Sequence, residues 1–161
     1  MYTELFSKGL RRNQRIVHAQ AEGLSHADSL AQTEFNVNCF NWVLGHIVAS
    51  RGEILKVLDG DPVLSDDQAE RYRRESDPIK GEGPGVLPFS ELLDHLDESE
   101  LRLEAALTDA DEAFMAEEIP AGEDRTASRA AQVMFLFFHD TYHTGQTDVI
   151  RQLSGKSDKI I

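Results

Sequence analysis

Two histidines four residues apart, His139 and His143, are the residues of this chain whose types and spacing most directly suggest chemistry. On an α-helix this spacing separates two residues by about 6 Å along the axis and about 40° around it, so both imidazoles lean toward one point beside the helix. One metal ion could bind both. Such a pair can equally be two partly buried histidines hydrogen-bonded within a helical core, so a third ligand is needed to decide.

His46 is the candidate for that third ligand. It is expected in the middle of another helix, directly after Gly45, whose missing side chain lowers helix propensity and suggests the close approach of another helix or a ligand. Gly145 follows His143 by two residues, and the two glycines together suggest that their helices pack closely at this level.

The other histidines are weaker candidates. His26 lies in a polar connection and His95 is flanked by acidic residues, so both are interpreted as surface residues. His18, in the first predicted helix, is kept in reserve.

Three neutral imidazoles bind a divalent transition metal and leave at least one coordination position for water or substrate, as a catalytic site requires. We expect Zn²⁺ or Ni²⁺, with Fe²⁺ and Mn²⁺ as alternatives. A zinc-protease motif is the competing interpretation, because Asp140 follows His139. We set it aside because Asp is one methylene shorter than the Glu base of that motif and few residues remain downstream for its third ligand.

The elements that must position these histidines are four long helices. Apolar periodicity predicts them at about residues 3–23, 39–58, 90–107 and 126–153. Asn36 or Asn38 is expected to cap the second helix. No segment alternates as a strand would, so the predicted fold is all-α, an antiparallel four-helix bundle in one domain over residues 1–161. The predicted core consists of Leu10, Val17, Trp42, Val43, Leu93, Leu96, Phe135 and Leu136.

Two connections join these helices. Residues 61–88 are irregular, with a short helix at about 65–74, and a connection of this length often forms a lid over a site. It could equally be a mobile linker. Residues 108–124 are expected to form a polar connection.

Composition limits the classes of binding partner and the cellular compartment that we expect for this protein. The formal net charge of −13 argues against nucleic acid and anionic membranes as partners, because binding phosphate requires clustered Lys and Arg. Cys39 is the only cysteine, which excludes an internal disulfide and favours a buried structural thiol over a reactive one. Neither a long apolar run nor a secretory signal is recognisable, so a cytoplasmic location is expected.

Two blocks of the sequence resemble the DinB/YfiT-like family. The first is Asn-Trp-Val-Leu-Gly-His at residues 41–46, and the second is His-Asp-Thr-Tyr-His-Thr-Gly-Gln at 139–146, followed by Arg-Gln-Leu-Ser-Gly at 151–155. The resemblance implies a DinB-type four-helix bundle, commonly dimeric, with a divalent metal on three histidines that correspond to His46, His139 and His143. It also implies induction under stress and no DNA chemistry.

The family includes transferases that use low-molecular-weight thiols and a thiol-dependent isomerase. An open three-histidine metal could form the thiolate of such a cosubstrate, but it could equally activate water, and the residues do not choose between the two. Our leading hypothesis is a metal-dependent transferase that joins a low-molecular-weight thiol to a small electrophile. The alternatives are a metal-dependent hydrolase and a non-catalytic, metal-binding stress-response protein.

Supporting residues for this chemistry are expected near the histidines on the same helices. Tyr142, Gln146 and Asp140, together with Asn41, lie near enough along the chain to orient the ligands or transfer protons. Packing or solvent exposure is the alternative interpretation for each. A homodimer is expected from the resemblance and from the apolar residues Val133, Phe137 and Phe138 around the fourth helix, which exceed what one core-facing stripe requires.

Overall fold

The protein is mostly helical, as predicted. The computed structural model describes residues 2–32 and 37–156. In chain order its elements are α1 Tyr2–Ala21, α2 His26–Ser29, α3 Phe40–Val57, α4 Asp66–Arg71, α5 Phe89–Asp109, α6 Glu112–Ala116, β1 Glu118–Pro120, β2 Thr126–Ser128 and α7 Arg129–Leu153. The four long helices correspond to the four that periodicity predicts.

A small antiparallel hairpin corrects the prediction that the chain has no strand. Strand β1 pairs with β2 so that Ile119 lies opposite Ala127, and the Ala121 N–H donates to the Arg125 carbonyl across the turn at 2.8 Å. Residues 126–128 are therefore extended, and α7 begins at Arg129 rather than at Thr126. The predicted polar connection at 108–124 contains helix α6 as well as β1. Three-residue strands are too short to show a recognisable alternation.

Side-chain caps explain where several helices begin. The Ser128 hydroxyl accepts a hydrogen bond from the Ala131 N–H at the start of α7, and Ser65 with Gln68 forms a capping box at the start of α4. For α3 the predicted caps were wrong or lie outside the described residues. Asn38 does not cap this helix, because the N-cap position is Cys39, and Asn36 is not among the described residues.

Helix α3 lies at the centre of the packing, since it is buried along almost its whole length. Helices α1 and α3 each pack against both α5 and α7. The buried apolar side chains form two clusters, one around Trp42 near the start of α3 and one around Leu55 near its end. These contacts fix α3 against α7, which together carry the three candidate ligands.

Helix α7 presents a polar face to the interior, which no apolar periodicity could reveal. Its buried residues are Arg129, Val133, Asp140, Thr144, Thr147, Ile150 and Arg151. Its large exposed apolar residues are Met134, Phe135, Phe138, Tyr142 and Val149. The predicted core position of Phe135 was therefore wrong, because that side chain is 67% exposed. Leu10, Val17, Trp42, Val43 and Leu96 are buried as predicted, and Leu93 and Leu136 are partly buried.

Among the described residues, no helix combines the length and the apolar character that a membrane span requires.

Candidate metal centre

Helices α3 and α7 bring the three predicted ligand histidines together. The Nε2 atom of His46, on α3, lies 3.3 Å from Nε2 of His139, and Nε2 of His139 lies 3.1 Å from Nε2 of His143, one turn further along α7. Ligand atoms of all three lie within 4.8 Å of one another. The ring of His46 is buried, whereas His139 and His143 are half-buried. The fold thus places three imidazoles around one point.

The second nitrogen of each ring already has a partner on the protein. Nδ1 of His46 lies 2.6 Å from the Tyr72 carbonyl oxygen, and Nδ1 of His143 lies 2.7 Å from Oε1 of Gln146. Since these oxygens only accept, both Nδ1 atoms must carry the hydrogen. Nδ1 of His139 pairs with the Ser50 hydroxyl at 3.1 Å. The Nε2 atoms of His46 and His143 therefore present lone pairs toward the common point.

This donor set fits a cation. Lone pairs of neutral imidazoles facing each other repel unless a hydrogen or a cation lies between them, and a cation can serve all three nitrogens at once. Ligand nitrogens about 2.0–2.1 Å from a tetrahedral Zn²⁺ lie about 3.3 Å apart, and the observed Nε2 separations are 3.1 and 3.3 Å. His46, His139 and His143 could therefore hold a divalent metal ion with a fourth position open to the outside.

The environment keeps the imidazoles neutral, as metal ligands must be. Burial lowers the pKa of His46 to about 4, because desolvation disfavours the charged ring more than the hydrogen bond to the Tyr72 carbonyl favours it. Burial also lowers the pKa of His139 and of His143. Trp42 stacks on His46 with ring centres 4.6 Å apart, which fixes the plane of that ligand.

A cavity of about 910 Å³ opens onto the three histidines. Besides them, its lining residues are Val37, Asn38, Trp42, Val43, Arg74, Phe135, Phe138, Tyr142, Gln146, Val149 and Ile150. Most of these side chains are apolar or aromatic. Arg74 is the one formally charged side chain among the described residues of the lining, and none of them is acidic, although the whole chain carries a net charge of −13.

Two of the three predicted catalytic residues border this cavity. Gln146 contacts His143 through the hydrogen bond described above, and the ring of Tyr142 meets that of His143 edge-on at 5.2 Å. Tyr142 is 57% exposed and is one of the residues that line the cavity. Gln146 is placed to orient a ligand, and Tyr142 to meet a bound molecule.

The third predicted catalytic residue, Asp140, lies elsewhere. Its side chain is fully buried between helices, where it accepts hydrogen bonds from Arg51 at 2.8 Å and from Asn13 at 2.8 Å. Asp140 does not border the cavity. Asn41 is also buried, and it bonds the Tyr72 hydroxyl and the Leu87 carbonyl rather than a histidine. Asp140 follows His139 by one residue and Asn41 precedes His46 by five. On a helix these separations turn the side chains about 100° and about 140° away from the respective histidine, which explains both outcomes.

The remaining histidines lie outside the cluster. His18 pairs with Asp97, and His95 is 3.4 Å from Glu91. His26 donates to Glu82 through Nε2 and accepts the Phe89 N–H through Nδ1.

Sequence reasoning missed two residues that hydrogen-bond the candidate ligands. Ser50 follows His46 by four positions, so helical spacing could have indicated that it shares that face. Tyr72 lies in the irregular segment between α3 and α5, and no spacing rule places a backbone carbonyl from that segment beside His46.

Comparison with known proteins decides the family. The sequence model of the DinB superfamily matches residues 10–147, which include all three histidines of the cluster. The chain belongs to the DinB superfamily. A solved structure with the same fold is that of a conserved protein from Enterococcus faecalis, with a TM-score of 0.74 and 17% sequence identity over 94% of this chain and 96% of that one. At 17% identity the likeness shows only that this DinB protein and the Enterococcus faecalis protein share a fold. No curated protein matches the chain.

Proposed function

We propose that this DinB protein is a divalent-metal-dependent transferase that joins a low-molecular-weight thiol to a small electrophile. The observation that carries the proposal is the convergence of three Nε2 atoms at the edge of a cavity large enough for a small molecule. Nε2 of His139 lies 3.3 Å from Nε2 of His46 and 3.1 Å from Nε2 of His143. His46, His139 and His143 would hold the metal, with Zn²⁺ or Ni²⁺ preferred. When bound, such an ion supplies a Lewis acid that lowers the pKa of a thiol or of water.

The protein's own residues supply orientation and proton transfer. In the transfer reaction the thiol gives up its proton to water, the thiolate sulfur bonds to the electrophilic carbon, and the leaving group departs with its electron pair. We assign the handling of this proton to the Tyr142 hydroxyl, which borders the cavity beside His143. Gln146 holds His143 in the required orientation. Asp140 acts through Arg51 to fix α7 against α3.

The cavity lining supports a substrate that is small and largely apolar. Phe135, Phe138 and Val149 offer apolar contact area, and Trp42 closes one side. Apolar walls exclude water and so strengthen electrostatic interactions at the reacting atoms. A cationic substrate would find no carboxylate partner among the described lining residues.

We also propose a homodimer formed through α7. Of the residues that suggested a dimer from the sequence, Val133 is buried and Phe137 partly buried, and only Phe138 is exposed. The exposed residues Phe135, Phe138, Tyr142 and Val149 follow spacings of three, four and seven, so they form one apolar stripe along the helix. A second copy packed along this stripe would remove part of it from water and narrow the mouth of the cavity. This arrangement places the partner beside the proposed site.

The architecture and location complete the proposal. The four long helices α1, α3, α5 and α7 form one antiparallel bundle and one domain, which is supported by the packing of α1 and α3 against both α5 and α7. We place the protein in the cytoplasm.

A thiol-dependence assay tests the proposed activity. The metal-loaded protein is incubated with a chloronitrobenzene electrophile with and without small thiols, and with a nitrophenyl ester to detect hydrolysis. We expect turnover only with thiol, a loss on the order of 100-fold in kcat for Tyr142→Phe, and no loss for the matched control Tyr2→Phe. Thiol-independent ester cleavage would favour the hydrolase. If neither reaction occurs while metal removal lowers Tm, the non-catalytic alternative replaces our proposal.

Cys39 provides an internal control for this assay. Its thiol is buried, and burial raises its pKa, so it is protonated at neutral pH. The variant Cys39→Ser should retain full activity because the reacting sulfur belongs to the cosubstrate. Loss of activity with fold and metal retained would show that the thiol belongs to the protein.

A further inference from the structure

We propose that Tyr72 is a positioning residue of the metal centre, which holds His46 in the one tautomer and orientation that directs Nε2 toward His139 and His143. The proposal rests on the metal site proposed above and adds the device that presets it. Tyr72 belongs to the segment between α3 and α5, outside both helices that carry the ligands. Three separate contacts carry the inference.

The first contact is made by the Tyr72 backbone. Its carbonyl oxygen lies 2.6 Å from Nδ1 of His46, and a carbonyl can only accept a hydrogen bond. The hydrogen of the neutral imidazole is therefore held on Nδ1, which leaves the lone pair on Nε2, the atom 3.3 Å from Nε2 of His139. The backbone thus selects which nitrogen is available to a metal.

The second contact is made by the Tyr72 ring, which packs directly on the helix at Gly45. A Cβ atom at Gly45 would lie 2.5 Å from Cγ of Tyr72, closer than the 3.0 Å that real Cβ atoms respect. Only glycine at this position lets the ring, and with it the carbonyl, come this close to His46. The glycine that sequence reasoning attributed to helix packing therefore serves Tyr72.

The third contact fixes the far end of the ring. The Tyr72 hydroxyl donates to Oδ1 of Asn41 at 3.2 Å and accepts the Leu87 N–H at 2.8 Å. Asn41 in turn donates to the Leu87 carbonyl at 3.0 Å. Tyr72 is fully buried, so it is held at its backbone, its ring face and its hydroxyl at the same time.

The same segment also holds the other side of the His46 ring. Ser76, four residues after Tyr72, accepts the Trp42 indole N–H at 2.9 Å, and Trp42 stacks on His46 with an interplanar angle of 16°. The connection between α3 and α5 therefore holds the His46 ring at its edge, through the Tyr72 carbonyl, and at its face, through Ser76 and Trp42. A connection that only covered the site would need neither contact.

Nitrogen chemical shifts test the tautomer directly and without metal. Long-range proton–nitrogen correlation NMR of the metal-free protein near neutral pH should show the His46 hydrogen on Nδ1. In Gly45→Ala the added methyl displaces the Tyr72 ring and carbonyl, so this single tautomer should give way to a mixture. The matched control is Gly145→Ala, on α7 beside His143, where no described atom lies within 4 Å of an added Cβ. It should keep the wild-type tautomer.

Binding of Co²⁺, followed by its absorption spectrum, gives the second measurement. We expect affinity to fall by about 10- to 100-fold in Gly45→Ala and to stay unchanged in Gly145→Ala. If Gly45→Ala does not fold, Tyr72→Phe takes its place, since it keeps the ring and loses only the hydroxyl bonds. We expect Tyr72→Phe to weaken Co²⁺ binding and loosen the tautomer preference.

The two measurements separate this proposal from the proposed function. A wild-type protein that binds no Co²⁺, yet whose His46 tautomer changes only in Gly45→Ala, would support the positioning by Tyr72 while removing the metal-dependent function. A wild-type His46 protonated on Nε2 would overturn the positioning proposal. The positioning proposal would also be overturned if the His46 tautomer and the Co²⁺ affinity both stay at wild-type values in Gly45→Ala. The same holds for Tyr72→Phe where that variant takes the place of Gly45→Ala.

Discussion

Arg51 of α3 and Asp140 of α7 form an ion pair in which both side chains are completely removed from water, with Nε of Arg51 2.8 Å from Oδ2 of Asp140. Asp140 directly follows His139, and Arg51 follows Ser50, which bonds that histidine. The pair therefore joins the two ligand helices at the level of the candidate centre. Two charges buried together are stable only while both are present and hydrogen-bonded.

Breaking this pair should destabilise the fold more than breaking a surface pair. Asp140→Ala leaves the buried Arg51 guanidinium with only the more distant carboxylate of Glu100, 3.9 Å away, and we expect a loss of about 3 kcal/mol in the free energy of unfolding. Urea denaturation measures it. The matched control is Glu4→Ala, which removes an exposed pair with Lys8 and should change stability little. Equal stabilities of the two variants would show that the buried pair does not join the helices.

The metal-free protein should lose stability as the pH falls below about 6.5. The pKa of His46 is lowered to about 4 in the folded state, and those of His139 and His143 are also lowered, so the unfolded chain binds protons first as the pH falls from 6.5. The contribution of these histidines to stability should therefore be constant above about pH 6.5. Below about pH 6.5 it should decrease by up to about 1.4 kcal/mol per pH unit for each histidine concerned.

Urea unfolding of chelator-treated protein at several pH values between about 5 and about 8 tests this expectation, because this range spans the unperturbed histidine pKa of about 6.5. The variant His46→Gln should show a smaller slope, since one of the three groups is absent. A wild-type stability that rises as the pH falls would contradict the buried, neutral cluster.

The helices and the clustering of the three histidines could be predicted from the sequence because both have local signatures. A His-x-x-x-His spacing reports a shared helix face, and a glycine before His46 reports close packing. The glycine's partner could not be predicted, because Tyr72 comes from a segment without periodicity. Gly145 resembled Gly45 in sequence, yet its surroundings are open within 4 Å.

The orientation of α7 was the larger error. Apolar residues are expected inside, but Phe135 is exposed while Asp140, Thr144 and Thr147 are buried. The reason is that the interior facing α7 already contains Arg51, which requires a carboxylate opposite it. Hydrophobic patterning cannot anticipate a buried charge whose partner lies on another helix.

The exposed stripe of α7 yields a prediction about assembly. Phe138→Glu places a charge in the middle of the proposed dimer interface, and we expect a dimer in the wild type and a monomer in the variant by light scattering. Leu101→Glu on α5 is the matched control, because Leu101 and Phe138 are both 64% exposed. The control should remain dimeric. A monomeric wild type at micromolar concentration would remove the dimer proposal.

The metal content of untagged protein tests the central claim most directly. Elemental analysis should find Zn²⁺ or Ni²⁺ bound to the wild type in a ratio close to one ion per chain. His46→Ala should lose most of it while retaining its helical circular dichroism, because the two histidines of α7 alone make a weaker site. His18→Ala, which changes a histidine outside the cluster, should keep the wild-type content. If His46→Ala holds as much metal as the wild type, the three-histidine centre is wrong.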